Sequence, residues 1–157
     1  MSRRIRLLAV GRLRAPHWKA AAAHYEERLK HWVDLRHDCV PDGDAALPTD
    51  QRNAGECSRL RDALSVKDTL ICLDERGKAH TSRQFATFLE RLCEDANRSP
   101  CFVIGGAFGL TDEFKQQARH CISLGPLTLP HELARVVLLE QLYRAESINR
   151  KLPYHHD

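Results

Sequence analysis

The stretch CFVIGGAFGL, residues 101–110, is an apolar run that ends in closely spaced glycines. A strand that only crosses a core gains nothing from glycine at its end. The segment therefore predicts either a very tight turn or a place where another group approaches the backbone closely. Its glycine spacing differs from the G-x-G-x-x-G dinucleotide fingerprint, and it lacks the Gly-Lys-Ser/Thr of a phosphate-binding P-loop. A structural turn and a ligand-binding loop both stay open on these residues alone.

Apolar runs and amphipathic segments alternate along the rest of the chain. The apolar runs predict strands at residues 5–10, 33–40, 69–74, 101–104 and 121–124. Helical spacing of apolar residues predicts helices at 16–32, 51–64, 82–97, 111–119 and 130–149. Strands separated by helices imply a parallel sheet with helices on both faces. A chain of 157 residues without repeats or linkers fits one α/β domain.

The composition is that of an ordinary globular protein, with 43% hydrophobic and 29% charged residues. No apolar run approaches the roughly 20 residues of a membrane-spanning helix. The N-terminal MSRRIRLLAVGRL is interrupted by Arg6 and Arg12 and lacks a small-residue cleavage site, so we expect a cytoplasmic protein without membrane contact. Basic residues gather near both ends, which slightly favours a surface that faces a polyanion over a merely solvated face.

Six cysteines raise the alternatives of disulfides and structural zinc. No two of them have C-x-x-C spacing, and Cys72, Cys101 and Cys121 lie inside apolar, strand-like runs. Thiols in such runs behave as small buried hydrophobes. We therefore expect neither a disulfide nor a metal site.

A second loop of unusual composition, LGPLTLPHEL at residues 124–133, follows the last predicted strand. Its leucines and bent backbone suit the binding of a flat heterocycle, with the leucines against the faces of the ring and backbone groups bonded to its edge. The loop could equally be buried against a partner subunit, and the two interpretations are compatible. After the first glycine loop, Asp112 and Glu113 open a predicted helix. Acids at this positive end of the helix dipole disfavour a bound phosphate, so we expect a phosphate-free ligand.

The predicted final helix, residues 130–149, carries apolar residues over more than one stripe. A helix on the surface of a single subunit needs only one. This helix is therefore either enclosed in the core or in contact with a second subunit, and for so small a chain we favour a homodimer.

Taken together, these segments resemble the RlmH family of ribosomal RNA methyltransferases, which are small members of the SPOUT or α/β-knot superfamily. The resemblance spans nearly the whole chain. The matching pieces are LLAVGRL (7–13), LICLDERGK (70–78), FVIGGAFGL (102–110), LTLPHELARVVLLEQLYRA (127–145) and PYHH (153–156).

The resemblance implies an S-adenosylmethionine-dependent enzyme that methylates N3 of a pseudouridine in a 23S rRNA hairpin, acting on assembled ribosomes. It also implies a homodimer and a C-terminal trefoil knot, an exception to the rule against knotted chains. Residues 1–157 would form a single SPOUT domain, with 150–157 as a functional tail. Methyl transfer from a sulfonium is a direct displacement that needs alignment and a deprotonated acceptor rather than a metal.

The resemblance further implies two sets of site residues. A composite active site, in which one subunit's tail approaches the other's cofactor, would use His155 as a base or base-orienting group. Arg144 would stabilise the developing anion or clamp RNA, and Tyr154 would position the nucleobase. Arg135 would either order the knot or contact phosphate. The cofactor site would comprise Leu73, Gly105, Leu124, Gly125, Pro126, Leu127, Thr128 and Leu129.

The chain departs from the family pattern at two places. Phe108 is a bulky aromatic residue in the glycine loop, where it would reshape the cofactor pocket. His156 and Asp157 close the chain where the family usually has Lys or Arg, which would weaken a phosphate contact.

Three rival functions remain open beside this one. A knotted methyltransferase acting on tRNA often carries an extra RNA-binding domain, for which this chain has no room. A non-catalytic ribosome- or RNA-binding factor would keep the fold without binding S-adenosylmethionine. A nucleotide-binding oxidoreductase is disfavoured by the missing dinucleotide fingerprint.

Overall fold

The computed structural model describes residues 2–156, in which five strands and five helices alternate. The strands are β1 (Arg3–Val10), β2 (Val33–Val40), β3 (Asp68–Ala79), β4 (Ser99–Ile104) and β5 (His120–Ser123). The helices are α1 (Pro16–Leu29), α2 (Thr49–Ala63), α3 (Ser82–Leu92), α4 (Asp112–Gln116) and α5 (His131–Asn149). The predicted α/β class is confirmed.

The strands form one sheet in the order β2-β1-β4-β3-β5, and every neighbouring pair is parallel. Because parallel strands all end at the same edge, the loops that follow β3, β4 and β5 meet there. This edge is where open parallel sheets bind ligands. The glycine-rich stretch that ends β4 therefore lies at the ligand-binding edge of the sheet.

Helices cover both faces of the sheet, as predicted. Alternate residues of β1 show why: Ile5 and Leu7 point to one core, and Leu8 and Val10 point to the other. Helices α1, α3 and α5 close the first core, and α2 and α4 close the second. The central strands are buried on both sides, which explains their nearly continuous apolar sequences.

The last helix, α5, is only partly enclosed within a single chain, since Leu133, Val137 and Tyr143 are half-buried. It lies against both α1 and α3 and buries the side chains of Leu138, Leu139 and Leu142 completely. Burial in the core therefore accounts for only part of its wide apolar surface. The homodimer stays a prediction, and so does the trefoil knot, since strand order alone does not define how the chain is threaded.

Several elements differ in length from the predictions, and helices α1 and α4 end at Leu29 and Gln116 instead of residues 32 and 119. Strand β3 continues beyond Asp74 to Ala79, because Leu73 and Lys78 both pair with Ile122 and the residues between them bulge out of the ladder. The second half of the strand could not be predicted from the sequence, because the residues of the bulge before it are charged. Helix α3 stops at Leu92 instead of residue 97.

Within residues 2–156, none of the helices is both long enough and apolar enough to cross a membrane. All six cysteines are free thiols. The described part of the chain also contains no group of three or more His, Cys, Asp and Glu side chains arranged to hold a metal ion.

Candidate active site

A cleft of about 380 Å³ lies at the carboxyl edge of the sheet. Its walls come from the glycine loop after β4 (residues 105–110), the loop after β5 (124–129) and the bulge of β3 (73–76). His131 and Ala134 at the start of α5 complete it. The volume falls within the range of about 300–1,000 Å³ that is typical of small-molecule sites.

The glycine loop is both a tight turn and a wall of this cleft. The amide of Gly109 donates to the carbonyl of Gly106 at 3.0 Å, and Gly109 has a φ of 73°. A Cβ atom at Gly105 would lie 2.4 Å from the Gly109 carbonyl oxygen. Since Gly105, Gly106 and Gly109 all line the cleft, the two interpretations of this stretch are compatible.

Seven of the eight residues predicted to bind the cofactor line the cleft. Leu73 comes from β3 and Gly105 from the glycine loop. Pro126 is the one predicted residue that does not line the cleft. Leu127 lines the cleft with an apolar side chain that is 80% exposed. The remaining four are Leu124, Gly125, Thr128 and Leu129.

The β3 bulge adds polar groups that the sequence analysis missed. The hydroxyl of Thr128 donates to Glu75 Oε2 at 2.5 Å, which joins the two loops across the cleft. Lys115 Nζ donates to Asp74 Oδ2 at 3.0 Å. Burial by itself would raise the pKa of Asp74, but hydrogen bonds from the Arg76 amide and from Lys115 outweigh burial and lower it. In the sequence, the charged run DER directly after an apolar strand was the feature that could have indicated these polar groups.

Phe108 extends the glycine loop along the rim of the cleft. Its ring is 53% exposed and lines the opening. The guanidinium carbon of Arg52 lies 5.7 Å from the centre of that ring, within the range of a cation–π contact. Phe108, which departs from the family pattern, therefore contacts Arg52 on α2.

The three predicted catalytic residues lie together around Glu140, which the sequence analysis did not identify. Arg144 Nη2 donates to Glu140 Oε1 at 2.6 Å, and the Tyr154 hydroxyl donates to the same oxygen at 3.0 Å. Arg144 Nη1 lies 3.3 Å from His155 Nδ1. Glu140 and Arg144 are spaced i, i+4 on a helix, and this spacing could have indicated their contact from the sequence. We refer to Glu140, Arg144, Tyr154 and His155 as the tail cluster.

The tail cluster raises the pKa values of both Tyr154 and Arg144. Burial and the hydrogen bond to Glu140 raise the pKa of Tyr154 to about 12. The same carboxylate raises the pKa of Arg144. A guanidinium can only donate hydrogen bonds, so its contact with His155 requires Nδ1 to accept and puts the proton of the neutral ring on Nε2. Asp157, the last departure from the family pattern, lies outside the described residues.

The tail cluster and the cleft are separate in one chain. None of the four residues of the tail cluster lines the cleft. Along α5, Arg144 follows the cleft residue Ala134 by ten positions, which corresponds to roughly 15 Å of helix rise. A reaction that uses both the tail cluster and the cleft residues therefore requires a second subunit or a different position of the tail.

Two basic side chains near the N-terminus are held by acids instead of facing a polyanion. Arg6 binds Asp38 and Asp68 at 2.8 and 2.6 Å, and Arg3 binds Glu146 at 2.9 Å. The expected polyanion-facing surface is correspondingly smaller than the sequence suggests.

Arg135 is 0% exposed and donates to the carbonyls of Val10 and Gly11 at 2.6 and 2.7 Å. It therefore orders the end of β1. The alternative of a phosphate contact is wrong within this chain, because the guanidinium is enclosed.

Comparisons with known proteins show the family of the chain. The sequence model of the family described as "Predicted SPOUT methyltransferase" matches residues 3–155. The chain is 58% identical to "Ribosomal RNA large subunit methyltransferase H" of Nitratidesulfovibrio vulgaris (strain DP4), over 99% of each chain. It is 52% identical to the protein of that name from Oleidesulfovibrio alaskensis, over 98% of this chain and 99% of the relative.

Among solved structures, a probable methyltransferase from Bordetella pertussis Tohama I superposes with a TM-score of 0.58 at 18% identity, covering 92% of this chain and 96% of the other. At that identity the likeness concerns the fold alone. The match of the family model and the identity of the relatives extend over nearly the whole sequence. The chain therefore belongs to the SPOUT methyltransferase family.

Proposed function

We propose that this protein is an S-adenosylmethionine-dependent methyltransferase that modifies N3 of a pseudouridine in 23S rRNA, with the assembled ribosome as substrate. The observation that carries the proposal is the cleft at the carboxyl edge of the sheet, which gathers residues from all three segments that resemble the cofactor site. Relatives at 58% and 52% identity named as large-subunit ribosomal RNA methyltransferases support the choice of RNA.

The cleft residues fit S-adenosylmethionine. Leu73, Leu124 and Leu129 offer apolar walls for an adenine ring, and the turn at Gly105 leaves a cradle that a Cβ atom would fill. The acidic side chain of Glu75 on the rim suits a cationic, phosphate-free ligand. When bound, S-adenosylmethionine would supply an electrophilic methyl group through its sulfonium.

The tail cluster supplies groups suited to the acceptor base. N3 of a pseudouridine is an imide nitrogen that is mostly protonated at neutral pH, so a nearby cation that stabilises the developing anion favours its deprotonation. Arg144 is the permanent cation of the cluster. Tyr154, whose raised pKa keeps the hydroxyl protonated into the alkaline range, can donate a hydrogen bond or stack on the base. His155 orients the base through its Nε2–H, or takes up the proton at Nδ1 once the contact with Arg144 is released.

A homodimer would bring these groups to the cleft. Within one chain Arg144 of the tail cluster lies roughly 15 Å along α5 from the cleft residue Ala134, since each residue adds about 1.5 Å. A second copy can bring its own residues 150–157 over the first copy's cleft. The exposed side chain of Leu127 supports this arrangement, because it would be covered.

The test is a methyl-transfer assay with radiolabelled S-adenosylmethionine and purified protein. The acceptors are assembled ribosomes from cells that lack the endogenous activity, isolated subunits, naked 23S rRNA and bulk tRNA. We expect label in 23S rRNA from assembled ribosomes only, at a pseudouridine.

Label in tRNA would contradict the proposed substrate and favour the tRNA-modifying rival. An absence of label in every acceptor, from a folded protein that also fails to bind S-adenosylmethionine in a titration, would favour the non-catalytic RNA-binding factor. His155→Ala separates the roles of the tail: full turnover at saturating substrate would remove His155 from proton transfer.

A further inference from the structure

Helix α2 contacts the glycine loop at three successive points, although none of its residues lines the cleft. The amide of Thr111, directly after the loop, donates to Cys57 Sγ at 3.4 Å. Arg52 lies over the ring of Phe108, and Glu56 lies beneath Gly106. One helix thus holds the loop from the side that faces away from the cleft.

Glu56 is the central contact and is 1% exposed. Its Oε1 accepts hydrogen bonds from the Gly43 amide at 3.0 Å and from Arg52 Nε at 3.2 Å. Its Oε2 has no hydrogen-bond partner among the described residues, and a Cβ atom on Gly106 would lie 2.6 Å from it. A buried carboxylate oxygen without a partner costs stability, so its place against the loop backbone calls for a functional reason.

Arg52 connects this buried carboxylate to the rim of the cleft. Its Nε is oriented by Glu56, and its guanidinium carbon lies 5.7 Å from the centre of the Phe108 ring. Phe108 and Gly106 both line the cleft. A change at either α2 residue therefore reaches the ligand site through the loop, without contact between α2 and the ligand.

We infer that Arg52 and Glu56 are positioning residues for the methyl-donor site: they hold the glycine loop in its ligand-binding conformation and thereby set the affinity for S-adenosylmethionine. The physical reason is preorganisation, because a loop that is already fixed loses less entropy when the ligand binds. The inference deepens the proposed function and rests on it.

The experiment compares Arg52→Gln, Glu56→Gln, Phe108→Leu and the double variant Arg52→Gln/Phe108→Leu with the wild-type protein. Arg91→Gln, an exposed arginine on α3, is the matched control. Calorimetry gives the Kd for S-adenosylmethionine, and hydrogen exchange of the ligand-free protein reports on residues 105–110.

We expect Arg52→Gln to raise the Kd by about two- to fivefold, the range of one cation–π contact. Exchange in residues 105–110 should become faster. In the double variant the effects should not add, because both changes remove the same contact. Glu56→Gln should raise the Kd as well, and Arg91→Gln should leave the Kd and the exchange unchanged.

An unchanged Kd in Arg52→Gln and Glu56→Gln, with the wild-type protein binding normally, would overturn the inference and leave the proposed function intact. A raised Kd with unchanged loop exchange would also overturn it, since the loop would not be the route. A lower melting temperature alone would indicate a role in stability only. Failure of the wild-type protein to bind S-adenosylmethionine would overturn the proposed function, and the inference with it. If Glu56→Gln does not fold, Arg52→Gln decides the question.

Discussion

Glu140 accepts a hydrogen bond from the hydroxyl of Tyr154 at 3.0 Å, and so ties the C-terminal tail to the last helix. The same carboxylate orients Arg144 through contacts of 2.6 and 3.3 Å. The ring of Tyr154 in turn lies 4.8 Å from the Arg144 guanidinium carbon. A single carboxylate therefore determines where two of the proposed catalytic groups lie.

Replacing Glu140 with Gln should uncouple the tail from the helix. We expect kcat to fall by about tenfold or more, because misplaced groups are costly in catalysis. The Kd for S-adenosylmethionine should stay unchanged, since Glu140 does not line the cleft of its own chain. Steady-state kinetics and calorimetry measure the two values. A raised Kd with normal kcat would contradict the assignment of Glu140 to the acceptor side.

The same variant has a spectroscopic readout that needs no substrate. Loss of the carboxylate should move the pKa of Tyr154 down from about 12 towards the ordinary tyrosine value. Ultraviolet titration of tyrosine, with Tyr154→Phe to identify the signal, checks this independently of turnover.

Gly105→Ala tests the glycine loop directly. The added methyl group would lie 2.4 Å from the Gly109 carbonyl oxygen, so the loop must shift. We expect a loss of stability of about 1–3 kcal/mol, as for other overpacked sites. The affinity for S-adenosylmethionine should fall as well. Thermal unfolding and calorimetry measure both effects.

The matched control is Gly55→Ala in the middle of α2, where a Cβ atom would meet nothing within 4 Å. This change should stabilise the protein by about 0.5–1 kcal/mol, because alanine favours the helix. It should leave the Kd unchanged. Equal losses of affinity in both variants would show that the close contact between Gly105 and Gly109 does not determine the affinity for S-adenosylmethionine.

The fold could be predicted from the sequence because its signals are local. The apolar runs and the glycines that follow Ile104 mark a buried strand and its end without knowledge of any other segment. The cofactor residues were predicted by resemblance, and the structure brings seven of the eight to one cleft.

Contacts between distant side chains could not be predicted in this way. Glu140 and Glu56 each serve a loop or tail far away in sequence, and nothing in their neighbouring residues indicates the partner. Likewise, Arg6 counts as free positive charge in a sequence, whereas the structure pairs it with Asp38 and Asp68. The second half of β3 was missed because a bulge separates it from the apolar run.

Cys39 should react faster than the other cysteines with an alkylating reagent at neutral pH. The neighbouring His37 side chain lowers the pKa of this exposed thiol, against the opposing effect of partial burial, and the Arg135 guanidinium, 3.6 Å from the sulfur, contributes. Burial instead raises the pKa of Cys72 and Cys101 to about 12. Since the thiolate is the nucleophile, iodoacetamide should label Cys39 first.

Peptide mass spectrometry over a time course measures the order of labelling. His37→Gln should slow the labelling of Cys39, because it removes the neighbouring positive charge. Equal rates at Cys39 and at the half-buried Cys93 would contradict the prediction.

The pair of His37 and Glu26 should make stability depend on pH in the alkaline range. Burial by itself would lower the pKa of His37, but the contacts with Cys39 and Glu26 outweigh it and raise the pKa from 6.5 to about 9. Nδ1 of His37 lies 2.7 Å from Glu26 Oε1. A raised pKa in the folded state means that the protonated form stabilises the fold. That contribution is complete below the unfolded-state pKa and is lost as the pH rises through the folded-state value.

His37→Gln removes the titrating group and keeps a polar side chain of similar length. We expect the wild-type protein to melt at a higher temperature than this variant below pH 6.5, and the difference to shrink until it disappears above pH 9. Melting curves of both proteins between these values measure it. A difference that stays constant with pH would mean that His37 acts through its shape alone, because only a change in bound protons makes stability depend on pH.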